Sequence, residues 1–222
     1  MVINQKHILI IGGMGPQASL YAHKRLIEEY QKAKVRADNS IYPRITHLSI
    51  NVEDFISDPS KKDSALRYIV KCLRDIDMRS VDTGFIACNT AHLLFDKIQE
   101  SANGKLISMV DAAKDDIAPN QVVGILATPL TINTNLYNLK NVIKPDDKDL
   151  DSTESIIREV IASGPNLELA NRLKTEVDKL AARGADKIIL GCSELSILGS
   201  LLTVTNVIDP VGIVIKKIMD IE

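Results

Sequence analysis

Two thiols are the residues best placed to do chemistry in this chain. Cys88 ends the run Asp82-Thr83-Gly84-Phe85-Ile86-Ala87-Cys88, and Cys192 ends the run Asp186-Lys187-Ile188-Ile189-Leu190-Gly191-Cys192. Each run reads as an aspartate, an apolar strand, a small residue and then the cysteine, with a helical pattern following. Where a strand of a parallel sheet hands over to a helix, ligands bind at the carboxyl edge. The helix N-terminus there offers free N–H groups and a partial positive charge. A thiol in that position is expected to have its pKa lowered toward neutrality, and the same amides can hold a carboxylate. Two thiols on opposite sides of a substrate suit one task especially well. One removes a proton from a face of a carbon and the other returns a proton to the opposite face, which inverts an amino acid at Cα. The carbanion between those steps is hard to form, so donors around the substrate carboxylate must stabilise it.

The neighbours of the thiols have blander uses as well. Asn89 and Thr90, directly after Cys88, are good N-cap residues. His92 lies four residues after Cys88, on a nearby face of a continuous helix, and satisfying a hydrogen bond is its expected role. Ser193 and Glu194 after Cys192 read either as caps that offset the helix dipole or as contacts to a substrate amine. Cys72 sits mid-helix in Ile69-Val70-Lys71-Cys72-Leu73 and reads as inert core. Three cysteines are too few, and odd in number, for a disulfide framework. None lies in a CxxC or Cys/His cluster, so no metal site is expected.

The elements that must position these residues alternate along the chain. Strands are expected at His7–Ile11, Arg44–Ile50, Asp82–Ala87, Lys105–Met109, Gln121–Ala127, Lys187–Leu190 and Asn206–Ile208. Helical patterns separate them: residues 17–34, 63–78, about 90–99, and a C-terminal helix from Val211. This alternation is the signature of an α/β fold with parallel strands. The strands are continuous apolar runs, as expected when both faces of a sheet are covered. Gly12-Gly13-Met14-Gly15-Pro16 forms a turn after the first strand and does not have the GxGxxG dinucleotide spacing. Lys144 to Asp151 is read as a solvated acidic loop, followed by helices over Ser152–Ala162 and Leu167–Arg183, the second capped by Gly184. The cysteines stand 104 residues apart, close to half of the 222. That spacing suggests two similar lobes, each presenting one thiol.

Composition excludes several classes of function. The chain has 45% hydrophobic and 25% charged residues and a formal net charge of −2, ordinary for a globular protein with an ample core. Its basic residues are scattered and it has no Trp, so no nucleic-acid surface is expected. No apolar stretch approaches the length that spans a bilayer, and no signal-peptide pattern is present. A cytoplasmic protein with no membrane partner is expected.

The quoted segments resemble the cofactor-independent aspartate/glutamate racemase superfamily, in particular its aspartate racemase branch. The resemblance rests on Gly12-Gly13-Met14-Gly15-Pro16, Cys88-Asn89-Thr90-Ala91-His92, Leu126-Ala127-Thr128, Gly191-Cys192-Ser193-Glu194-Leu195 and Ile208-Asp209-Pro210, in order over nearly the full chain. It implies two α/β lobes with the site in the cleft between them. The N-terminal lobe would comprise residues 1–104 plus 208–222, and the C-terminal lobe residues 105–207. It further implies catalysis without pyridoxal phosphate or any other cofactor, a small-molecule amino-acid substrate, and a homodimer. Carried over to this sequence, Cys88 and Cys192 are the acid/base pair. Met14, Gly15, Asn51, Asn89, Thr90, Thr128, Ser193 and Glu194 are substrate-contact candidates. The sequence departs from the branch at two cations that would pair with an acidic side chain. Asn51-Val52-Glu53-Asp54-Phe55 contains no Arg, and Ile161-Ala162-Ser163-Gly164-Pro165 contains no Lys. The departure points away from aspartate and leaves the proton chemistry intact. Alternatives are a maleate isomerase or arylmalonate decarboxylase of similar fold, a small-carboxylate-binding protein without turnover, and a thiol hydrolase using Cys88 and His92. The last would lack an orienting third residue and would leave Cys192 without a role.

Overall fold

The computed structural model describes residues 6–33, 38–202 and 205–220. Its first half runs β1 (His7–Gly12), α1 (Pro16–Ala33), β2 (Arg44–Ser49), α2 (Lys62–Leu73) and β3 (Thr83–Ile86). A 3-10 turn at Thr90–Leu94 follows, then α3 (Phe95–Ser101), β4 (Leu106–Ile107) and α4 (Met109–Asp115). The second half runs β5 (Val123–Leu126), α5 (Pro129–Asn133), β6 (Val142–Ile143), α6 (Asp147–Ser163) and α7 (Leu167–Ala182). It closes with β7 (Lys187–Leu190), α8 (Ser193–Gly199), β8 (Val207–Ile208) and α9 (Pro210–Asp220).

The strands form two parallel four-stranded sheets, ordered β2-β1-β3-β4 and β6-β5-β7-β8. The two orders are the same order repeated, so the expected two-lobed α/β architecture is present. Period-2 alternation divides each central strand between two cores. Leu9 and Ile11 of β1 pack beneath α2 and α3 with Ile69 and Ile98. Ile8 and Ile10 pack on the opposite face with α1, α4 and α9 through Leu26, Met109 and Ile215. In the second sheet Ile188 and Leu190 of β7 join Ile157 and Leu173 of α6 and α7, while Ile189 faces the other side with Val123 and Ile125. Such two-sided burial is why the strand segments read as unbroken apolar runs.

Strand pairing moves both expected lobe boundaries. Leu106 pairs with Gly84, which puts β4 in the first sheet and not the second. Ile208 pairs with Ile189, which keeps β8 in the second sheet. The chain therefore leaves the first sheet after β4 and returns after β8, when α9 packs on the first lobe through Val211, Val214 and Ile218.

Several elements differ from their expected extents for local reasons. The strand expected to reach Met109 stops at Ile107, because the Ser108 hydroxyl accepts from the Asp111 N–H and starts α4. The acidic stretch read as a loop is the first turn of α6. Asp146 caps it at 2.9 Å through the Asp149 N–H, and Asp147 and Asp149 complement the positive end of the helix. The short strand β6 also lies where no strand was expected, and α2 ends five residues before Met78. Gly184 follows α7 at φ +97°, as a helix-ending glycine does. Lys34, at the end of the expected first helix, lies outside the described residues. No helix among the described residues is long and apolar enough to cross a membrane.

Candidate active site

In each lobe the chain passes from the first strand to a neighbour on one side, then returns to place the third strand on the other. The crevice lies between those two central strands, at their carboxyl ends. In the first lobe it is flanked by the turn after β1 and by Cys88, two residues past β3. In the second it is flanked by Thr128, two residues past β5, and by Cys192, two residues past β7. The two crevices open into one cleft of about 240 Å³, lined by both thiols with Met14, Gly15, Thr90, Thr128 and Glu194. That size suits a metabolite smaller than drug-like ligands.

Glycine in the first turn is required by close approach. Gly13 adopts φ +92°, and a Cβ there would meet the Ile50 backbone nitrogen at 2.3 Å. A Cβ on Gly15 would meet Glu194 Oε1 at 2.7 Å, so the first-lobe turn closes directly over the second-lobe carboxylate. The other Glu194 oxygen, Oε2, accepts a hydrogen bond from the Cys192 thiol at 2.9 Å. Cys192 is itself the N-cap of α8, and its side chain caps nothing.

Beside the thiols, three buried threonine hydroxyls close a triangle across the lobes. Thr90 Oγ1 lies 3.2 Å from Thr128 Oγ1 and 3.0 Å from Thr131 Oγ1, and Thr128 lies 3.1 Å from Thr131. Thr131 was not picked out from the sequence. Its spacing from Thr128, one helical turn past a strand end, was the available signal.

Three expected substrate contacts do not line the cleft. Asn89 is buried, and its Oδ1 accepts from the Tyr137 hydroxyl of the second lobe. The Ser193 hydroxyl donates to the Ala87 carbonyl of the first lobe at 3.2 Å. Both residues clamp the lobes together beside the thiols. Asn51 is exposed and accepts from the Tyr68 hydroxyl at 3.3 Å. Cys72 is half-buried on α2 at the edge of the first-lobe core, away from the cleft.

The thiol pKa values move opposite to expectation. Burial pushes Cys88 up to about 12, and the Glu194 charge adds to it, while the N–H groups of Thr90 and Ala91 pull the other way. Cys192 is raised well above the usual thiol range, by burial first and then by the charge and hydrogen bond of Glu194. Helix-end amides do act on both thiols, but desolvation in a dry cleft outweighs them. Burial raises the Glu194 carboxyl too, against the hydrogen bonds it receives.

His92 has a structural use. Its Nδ1 lies 2.9 Å from the Cys88 carbonyl, and its Nε2 accepts from the Met109 N–H at 3.0 Å. That pattern fixes a neutral ring with the proton on Nδ1. Burial pushes its pKa down to about 4.

The sequence reading also missed the outer wall. Arg158 of α6 faces the cleft together with Asp54 of the loop after β2. They form an ion pair at 3.2 Å between the lobes. The search for a cation had covered residues 51–55 and 161–165, one helical turn short of Arg158. Among the described residues, no three His, Cys, Asp or Glu side chains converge as metal ligands would.

Comparison with known proteins finds the sequence pattern of the Asp/Glu/Hydantoin racemase family over residues 11–218. The broad specificity amino-acid racemase RacX of Bacillus subtilis is 23% identical over 84% of this chain and 85% of its own. The crystal structure of PH1733, an aspartate racemase homologue from Pyrococcus horikoshii, is 26% identical with a TM-score of 0.75. It covers 98% of this chain and 99% of that one. Aspartate racemase of Picrophilus torridus shares the fold at 19% identity and a TM-score of 0.75, over 97% and 93% of the two chains.

Proposed function

This chain belongs to the Asp/Glu/hydantoin racemase family of isomerases, and from that premise we propose that it racemises a free amino acid without a cofactor, with Cys88 and Cys192 as the two bases. One observation carries the reading: thiols from equivalent strand ends of two like lobes line a single amino-acid-sized cleft. In one direction the thiolate of one cysteine takes the Cα proton, and the thiol of the other delivers its proton to the opposite face. The enzyme ends with thiol and thiolate exchanged, so charge and protons balance, and the reverse reaction restores the start.

The reaction needs one ionised thiol, and burial makes that ion costly. Glu194 relieves the cost by accepting the Cys192 proton along their 2.9 Å hydrogen bond. Both groups have raised pKa values, so the proton moves between acids of shifted strength and no bare charge enters an otherwise dry site. Thr90 and Thr128, held by Thr131, supply hydroxyl donors for the substrate carboxylate, where charge grows as the carbanion forms. Because both thiols are raised, the thiolate fraction increases with pH, and turnover is expected to climb toward the alkaline side.

The test is α-proton exchange in D2O under reducing conditions, followed by NMR with one L-amino acid at a time. Loss of the α-proton signal together with appearance of the D-enantiomer is the expected result. Absence of exchange across acidic, neutral and basic amino acids would reject the racemase reading.

A further inference from the structure

The outer cleft carries a charge pattern that bears on the substrate. Its walls are apolar, formed by Val52 and Phe55 from the first lobe and by Ile157 and Ile161 from α6. Arg158 is the cation facing this space, and its guanidinium is already engaged. Nη1 donates to Asp54 at 3.2 Å, Nη2 to Ser57 at 2.6 Å and to Glu154 at 3.2 Å, and Nε to Glu154 at 3.4 Å. These contacts occupy four of the five N–H donors of a guanidinium. Asp54 and Glu154 together more than cancel its charge, and Glu53 adds a further carboxylate on the same wall.

An acidic side chain reaching outward would therefore meet net negative potential and an arginine with its donors spent. A flexible aliphatic stem would lie on the isoleucine and phenylalanine wall, with a cationic end beside Asp54 and Glu53, whose oxygens retain free lone pairs. We infer that the Arg158–Asp54–Glu154 cluster is a specificity element that selects an amino acid with a cationic aliphatic side chain over aspartate or glutamate. This rests on the racemase reading above. Arg158 acts here as a strut between the lobes and not as a receptor for a substrate carboxylate.

The test compares kcat/KM for α-proton exchange by the wild-type protein with L-lysine, L-ornithine, L-norleucine, L-aspartate and L-glutamate. Lysine and ornithine are expected to exceed both acidic amino acids by at least about tenfold, with norleucine between. Aspartate or glutamate as the best substrate would overturn the inference while leaving the racemase reading standing. No exchange with any of the five would remove both. The double variant Asp54→Asn with Glu154→Gln frees Arg158 and removes two charges. It is expected to shift the lysine-to-glutamate ratio at least about tenfold toward glutamate, and adding Arg158→Ala should abolish the gain. An unchanged ratio in a folded double variant would also overturn the inference. The wild-type panel decides the matter even if the variant does not fold.

Discussion

In the first lobe Cys88 leads into a 3-10 turn whose His92 ties the Cys88 carbonyl to the start of α4. In the second, Cys192 caps an α-helix directly and hydrogen-bonds a carboxylate two residues on. The sheets beneath them repeat one strand order, so the difference is confined to the edge where chemistry happens. A racemase handles two mirror-image substrates and needs bases on both faces, yet only one base is ionised at a time. Like lobes supply the geometry of two faces. Unlike motifs supply unequal protonation, with Glu194 as proton acceptor on one side and a rigid imidazole strut on the other.

The largest effect should come from removing either thiol. Cys88→Ala and Cys192→Ala are each expected to lower racemisation by roughly 10²–10⁴-fold or more with thermal unfolding little changed. The two variants should retain slow proton exchange with opposite enantiomers, since each keeps one base, and chiral chromatography with NMR exchange would read this. Racemisation at the wild-type rate by either variant would end the two-base scheme.

A smaller effect separates the two corners. Glu194→Gln removes the negative charge that raises both thiols. The pH midpoint of iodoacetamide alkylation should therefore move down, while racemisation falls by about 10²-fold because the proton acceptor is lost. An unmoved alkylation midpoint would show that Glu194 does not govern the thiols.

The smallest effect on rate, and a clear one on stability, is expected at His92. His92→Leu leaves the Met109 N–H buried without an acceptor, at a cost of about 1–3 kcal/mol in urea unfolding. The folded pKa of His92 is about 4, below the ordinary value near 6.5. The wild-type protein therefore holds its full His92 contribution above about pH 6.5 and loses it as pH falls toward about 4. The variant should lack that part of the acid sensitivity. A His92 variant with wild-type stability but no racemisation would instead give the imidazole a place in the chemistry.

Much of the frame was legible in the chain. The apolar runs before Cys88, Thr128 and Cys192 marked the strand ends that border the cleft, because a strand covered on both faces has a distinctive composition. The acidic stretch at Lys144 to Asp151 misled, since three aspartates read equally as a solvated loop or as a capped helix start, and packing of Ile156, Ile157 and Val160 into the second core decides for the helix. Asn89 and Ser193 stood beside the thiols in sequence, yet their side chains turn to the opposite lobe for partners that sequence proximity does not reveal.

The sequence by itself determined the alternation of strands and helices, the repeat of a strand-cysteine unit and the candidate pair Cys88 and Cys192, because those depend on local periodicity and residue type. Tertiary structure alone decided how the pair is protonated and what charge surrounds it. Desolvation depends on what covers a thiol, and the Coulomb energy of Arg158 depends on distance through space. Asp54 lies 104 residues from Arg158 along the chain and 3.2 Å from it across the cleft.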